Sequence, residues 1–119
     1  MYAMVNIIQK FWLQLTLLIL LIIAILSLWP ATHLPNVPGS DKTHHIIGYT
    51  ALIFPAALTK PKNHLFFFIG FLLFSGVIEI IQPYVNRYGE WLDMLANAVG
   101  LVFGVILAQI VQYFSHKSA

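Results

Sequence analysis

Four long apolar segments alternate with short polar stretches along this chain of 119 residues. The first segment, from Phe11 to Trp29, contains no charged residue. At a rise of about 1.5 Å per residue, a helix of this length can cross a hydrocarbon layer about 30 Å thick. The pattern predicts an all-α bundle of four transmembrane helices, over residues of about 11–29, 42–59, 64–82 and 91–114.

Prolines and glycines mark the ends of these helices, because proline cannot continue a helix interior. The longest predicted loop runs from Pro30 to Ser40, and Pro55 is expected to kink the second helix. Short connections favour antiparallel neighbours. A chain of 119 residues is the size of one domain, so we expect one domain over residues 1–119. A cleaved signal peptide is a less favoured interpretation of the first segment, because the apolar part of a signal spans only about 7–15 residues.

The composition changes this picture little but excludes several classes of protein. Hydrophobic residues make up 60% of the chain and charged residues 8%, against roughly 45–50% and 25% in soluble domains. A net charge of +2 without a basic run among aromatics does not indicate nucleic-acid binding. With 0 cysteines, disulfides and thiolate metal sites are excluded. We expect membrane lipids as partners and no cofactor.

The basic residues indicate an orientation, since lysine and arginine favour short cytoplasmic loops. With four crossings, most of the basic residues fall at the end that carries both termini. We therefore expect a cytoplasmic N-terminus and a cytoplasmic C-terminus. The residues of that end are Lys10, Lys60, Lys62 and Lys117, and those of the outer end are Lys42 and Arg87.

The four acidic residues, Asp41, Glu79, Glu90 and Asp93, all fall at the outer end in this topology. Other polar residues follow them at helical spacings of three or four, so each helix should present one polar face there. A charge within hydrocarbon costs about 2.5–3.5 kcal/mol on insertion scales, so these groups should face inward. The predicted outer site comprises Asp41, Lys42, His45, Tyr49, Glu79, Gln82, Arg87, Asp93 and Asn97.

Two glycines in the fourth segment predict how the helices approach one another. Gly100 and Gly104 form a G-x-x-x-G motif, and small residues at this spacing let two helix backbones pack closely. We expect this contact to hold the fourth helix against a neighbour and to bring Asp93 and Asn97 toward Glu79.

Three motifs together form a pattern that is more specific than any one of them. They are Asp41-Lys42-x-x-His45-x-x-x-Tyr49-x-x-Leu52, Glu79-x-x-Gln82-x-x-x-x-Arg87 and Asp93-x-x-x-Asn97-x-x-Gly100-x-x-x-Gly104. With these motifs the chain resembles the VanZ-like family of small bacterial membrane proteins, over about two thirds of its length. Glu90 departs from the small hydroxyl residue expected there in many members.

The resemblance implies several membrane helices, a place in the bacterial cytoplasmic membrane and a role in the cell envelope. The member that names the family is associated with low-level resistance to teicoplanin, an antibiotic that acts outside the cell on lipid-linked peptidoglycan precursor. Such a precursor is therefore a candidate partner for an outward-facing site. The family carries no established reaction.

Several functions stay open at this point. In a binding module, Arg87 and Lys42 would pair with anionic oxygens of an extracytoplasmic headgroup. In a membrane enzyme, His45, held by Asp41, would be the general acid or base, and Glu79 or Asp93 would be the second carboxyl group. An oligomeric transporter of several copies is less favoured. So are a divalent-metal site, for which no ligand motif is present, and a purely structural ion-pair network.

Overall fold

The computed structural model describes residues 2–29, 41–85 and 91–118, and every element in these ranges is helical. The all-α prediction is therefore confirmed for this part of the chain. The α-helices are α1 (Tyr2–Lys10), α2 (Trp12–Leu28), α3 (Asp41–Thr59), α4 (His64–Ile81) and α5 (Trp91–Ser118). Short 3₁₀ turns at Pro61–Asn63 and Gln82–Val85 precede and follow α4.

The predicted first helix is observed as α2, and it is preceded by a short helix, α1, that the apolar pattern did not predict. The axes of α1 and α2 meet at Phe11 with a bend of 71°. α1 was missed because its sequence mixes apolar and polar residues and contains no continuous apolar run. One face of α1 is nonetheless anchored, since Val5 is buried in the core and the Gln9 amide donates a hydrogen bond of 3.2 Å to the Leu58 carbonyl.

α3 and α5 run parallel and form the most extensive helix contact of the described residues. A Cβ on Gly100 would lie 2.5 Å from the Ile46 carbonyl oxygen, and one on Gly104 would lie 2.7 Å from the Thr50 carbonyl oxygen. Only glycine permits this approach. The two glycines thus pack the backbone of α5 directly on α3, and the Thr50 hydroxyl donates a hydrogen bond of 2.9 Å to the Gly100 carbonyl.

The remaining helices flank this pair in the opposite direction. The Gln82 amide at the end of α4 donates to the Ser27 carbonyl at the end of α2, so these two helices end together. At the other end of the bundle, the amides of Gln9 and Gln112 both donate to the Leu58 carbonyl near the end of α3. The up-and-down arrangement predicted from the short connections is consistent with these contacts.

The outer surface of the bundle is apolar over much of its length. Within the described residues, two stretches are long and apolar enough to cross a membrane, Pro61–Tyr84 and Leu92–Ser115. The bent pair formed by α1 and α2 is a third if it counts as one span. α3 does not meet the same test, in keeping with the polar residues of its first turns. The fold is consistent with a membrane protein.

Candidate functional site

The close packing of α3 on α5 brings the first turns of these two helices side by side. Lys42 on α3 and Asp93 on α5 form an ion pair there, with 3.2 Å between Nζ and Oδ1. The Lys42 side chain is 43% exposed, whereas that of Asp93 is 10% exposed. The carboxylate is thus held inside the bundle, and the ammonium group lies at its rim.

His45 lies one turn further along α3 and contacts two residues of α5. Its Nδ1 is 2.8 Å from Asn97 Oδ1, and its Nε2 is 3.9 Å from Asp93 Oδ2. The amide oxygen accepts the Nδ1–H bond, which fixes the orientation of the ring. The other ring nitrogen, Nε2, faces the Asp93 carboxylate. The ring thus lies between two polar side chains of α5.

We call Lys42, His45, Asp93 and Asn97 the α3–α5 cluster. The spacing of three residues on α3 and of four on α5 places both members of each pair on one helix face. Because α3 packs on α5, these two faces meet. This is the part of the predicted site that the structure brings together with direct polar contacts.

Tyr49 and Glu79 are two further members of the predicted site. Tyr49 follows His45 by one turn of α3 and is 2% exposed. Glu79 of α4 is partly buried and lies near enough to Tyr49 for an electrostatic interaction. The structure therefore places Glu79 near the helix that carries His45.

Gln82 has a packing role in the described structure. Its side chain is 1% exposed, and its amide nitrogen donates a hydrogen bond of 3.1 Å to the Ser27 carbonyl. The amide oxygen is buried and accepts no hydrogen bond from the described residues. The prediction that Gln82 binds a substrate is not supported by a contact with the α3–α5 cluster.

The glycine motif predicts a close approach to a neighbouring helix, and the structure shows one. The neighbour of Gly100 and Gly104 is α3. Among the described residues, the polar partners of Asp93 are Lys42 and His45, rather than Glu79.

Two predicted members of the site, Arg87 and Asp41, cannot be placed, and neither can the nearby Glu90. Arg87 and Glu90 lie outside the described residues, and the side chain of Asp41 does as well, although Asp41 begins α3. The prediction that Asp41 orients His45 therefore stays a prediction, while the structure assigns an orienting contact to Asn97.

Thr50 is a positioning residue that the sequence interpretation did not single out. Its hydroxyl lies 2.7 Å from the Ile46 carbonyl oxygen within α3 and 2.9 Å from that of Gly100 on α5. The sequence did contain an indication of this role. Glycine has no side chain to cover its carbonyl group, so a threonine of a neighbouring helix can donate a hydrogen bond to it.

No group of three histidine, aspartate or glutamate side chains in the described ranges is arranged to hold a metal ion. The side chain of Asp41, a carboxylate that could be a ligand of a divalent cation, lies outside those ranges.

The fold and the cluster together define the class of protein. It is an all-helical bundle with helices that can span a membrane and with an ion-paired cluster at one end. No family model, curated protein or solved structure matches the chain.

Proposed function

We propose that this chain is a multi-pass protein of the bacterial cytoplasmic membrane that binds the anionic headgroup of an extracytoplasmic, lipid-linked glycan precursor. The observation that carries the proposal is the asymmetry of the Lys42–Asp93 pair. The side chain of Asp93 is 10% exposed and that of Lys42 is 43% exposed, so Lys42 can contact a ligand while it stays paired with Asp93. A cation at the rim of an apolar bundle suits an anionic headgroup.

The α3–α5 cluster supplies the donors that such a headgroup needs. Lys42 would form a charge-assisted hydrogen bond with an anionic oxygen, and Asp93 would hold the ammonium group in position. His45, held in place by Asn97, would be a second contact for the headgroup. Arg87, which precedes α5 in the sequence, is proposed as a further anion-binding residue on the resemblance to VanZ-like proteins.

The membrane topology of the proposal has four spans, with both termini in the cytoplasm. α3 does not pass as a span by itself, but its polar residues Lys42, His45 and Thr50 contact α5. This packing supports α3 as the fourth crossing. Lys60 and Lys62 follow the end of α3 opposite to Lys42, which agrees with a cytoplasmic location by the bias of lysine toward that side.

The test is binding of lipid-linked peptidoglycan precursor to the purified chain in nanodiscs. We expect Lys42→Ala to weaken binding about tenfold, the effect of losing one charge-assisted hydrogen bond of about 1.5 kcal/mol. Lys62→Ala is the matched control, because Lys62 is exposed in the turn before α4. Equal affinities of wild type and Lys42→Ala would contradict the proposal.

A cellular readout follows from the resemblance to the VanZ-like family. Expression of the wild-type chain in a susceptible host should raise teicoplanin tolerance, and Lys42→Ala and Arg87→Ala should abolish the effect while still inserting in the membrane. Lys62→Ala should behave as wild type. Teicoplanin tolerance that is unchanged by wild-type expression would count against the envelope role.

A membrane enzyme is the second candidate, and the orientation of His45 favours it. A ring held at Nδ1 by Asn97, with Nε2 beside a carboxylate, is suited to general acid or base chemistry. Turnover of the lipid-linked precursor by the purified chain, with a bell-shaped pH–rate profile that His45→Gln removes, would select this function. Binding without turnover would select the first.

A further inference from the structure

An apolar groove of about 740 Å³ lies beside the α3–α5 pair, and the α3–α5 cluster does not fill it. Side chains of α1, α2, α3 and α5 line the groove, among them Leu15, Ile19, Ile46, Ala51, Phe103 and Leu107. Its size falls within the range of about 300–1,000 Å³ that is usual for ligand pockets. The groove is large enough to hold part of a hydrocarbon chain.

The lining of the groove has no side-chain group available to a polar ligand. Thr50 is the one residue with a polar side chain among those that line it. The hydroxyl of Thr50 is already engaged by the carbonyl oxygens of Ile46 and Gly100. A ligand with donors or acceptors of its own would leave them unpaired here, at a cost of about 1–3 kcal/mol each. The chemistry that fits is hydrocarbon.

The groove lies at the depth of the membrane-spanning part of α5. Its α5 residues, from Phe103 to Ile110, fall in the middle of the Leu92–Ser115 stretch that is long enough to cross a bilayer. Phe103 and Leu107 are also exposed at the surface of the bundle. The open side of the groove therefore faces the hydrocarbon of the membrane.

On α3 the groove begins at the level where the α3–α5 cluster ends. Its first α3 residue, Ile46, directly follows His45, and its last, Pro55, comes nine residues later, or about 14 Å along the helix. A molecule seated in the groove thus has one end next to Lys42 and His45. Many membrane lipids have a hydrocarbon chain that could fill the groove. The cluster favours those with an anionic headgroup, because it offers a cation.

We infer that the groove holds the hydrocarbon chain of the anionic lipid whose headgroup is bound by the α3–α5 cluster. The inference rests on the proposed function and adds a chain-binding site to it. The ligand class becomes an anionic long-chain lipid, recognised at both its charged end and the first part of its tail. A soluble anion or a short-chain phosphate would use the cluster alone.

The test compares two phosphates that share a headgroup and differ in tail length, undecaprenyl phosphate and geranyl phosphate. Affinities are measured by native mass spectrometry on the whole chain in phosphatidylcholine nanodiscs. Leu107→Trp and Ala51→Phe fill the groove from two sides, and both positions are exposed, so neither change strains the core. Leu73→Trp is the matched control on the exposed face of α4.

The two groove variants should bind undecaprenyl phosphate about tenfold more weakly than wild type. Geranyl phosphate should lose less affinity, because its short tail fills less of the groove. Leu73→Trp should match wild type with both probes, and Lys42→Ala should weaken both. Wild-type affinity of both groove variants for undecaprenyl phosphate would overturn the inference, and the proposed function would stand if Lys42→Ala still weakened both probes.

Two other outcomes would also overturn the inference. If Lys42→Ala bound both probes as wild type does, the proposed function would fail and the groove inference with it, since it assigns the headgroup to the cluster. If wild type were a dimer that Leu107→Trp converts to monomers without changing lipid affinity, the groove would be covered by a second copy of the chain.

Discussion

The Nδ1 atom of His45 lies 2.8 Å from Oδ1 of Asn97, and this hydrogen bond joins the second turn of α3 to the second turn of α5. It depends on two levels of structure. Helical spacing puts His45 one turn after Lys42 and Asn97 one turn after Asp93. The glycine contact further along then sets the distance between the helices, so the local chemistry of the cluster depends on Gly100 and Gly104.

Loss of the Asn97 side chain should loosen this connection. Asn97→Ala leaves the Nδ1–H of a largely buried imidazole without its acceptor, which should lower the free energy of unfolding by about 1–2 kcal/mol. Thermal unfolding in detergent measures the effect, and Asn63→Ala, on an exposed turn, is the control. In a double-mutant cycle, His45→Ala and Asn97→Ala should show a coupling energy of about 0.5 kcal/mol or more. Additive effects would contradict the contact.

A methyl group at Gly100 should separate α3 from α5. Its Cβ would lie 2.5 Å from the Ile46 carbonyl oxygen, a backbone atom that cannot rotate away. We expect Gly100→Ala to destabilise the chain by about 1–3 kcal/mol and to weaken headgroup binding, because the cluster spans the same two helices. Gly70→Ala is the matched control, since nothing lies within 4 Å of its Cβ position. Equal melting temperatures of the two variants would refute the close packing.

The helices could be predicted from sequence because long apolar runs determine them locally. α2, α4 and α5 each contain such a run, and their observed bounds lie close to the predicted ones. α1 could not be found in this way, because its stability comes from tertiary contacts. Val5 and Gln9 contact residues that lie far along the chain. The local sequence of Tyr2–Lys10 does not show which residues those are.

The composition of the cluster was predictable, but its pairing was not. Helical periodicity shows which residues share a face, so Asp93 and Asn97 were correctly placed together. Periodicity does not show which helix that face meets. The G-x-x-x-G motif fits any close neighbour, and the choice of α3 depends on the carbonyl groups of Ile46 and Thr50 being accessible there. His45 and Asn97 are 52 residues apart, a separation that no spacing rule covers.

Removal of the Thr50 hydroxyl should weaken the same helix contact by a smaller amount. Thr50→Val keeps the shape of the side chain and removes the hydrogen bond to the Gly100 carbonyl. Such bonds between membrane helices contribute about 0.6 kcal/mol on average, so a modest drop in thermal stability is expected. Thr50→Ser keeps the hydroxyl and should retain most of the thermal stability. Thr59→Val is the control, since the Thr59 hydroxyl donates only within its own helix, to Pro55. A drop no larger than that of the control would contradict the bridging role.

The orientation of the bundle can be tested cleanly because the chain has 0 cysteines. Tyr84 and Lys62 are exposed residues near opposite ends of α4, so a single cysteine at either position reports one side of the membrane. With cytoplasmic termini, Tyr84→Cys should react with a membrane-impermeant maleimide on intact cells. Lys62→Cys should react only after permeabilisation. The reverse result would place the α3–α5 cluster on the cytoplasmic side, where an extracytoplasmic headgroup cannot reach it, and labelling of both on intact cells would show that α4 does not span the membrane.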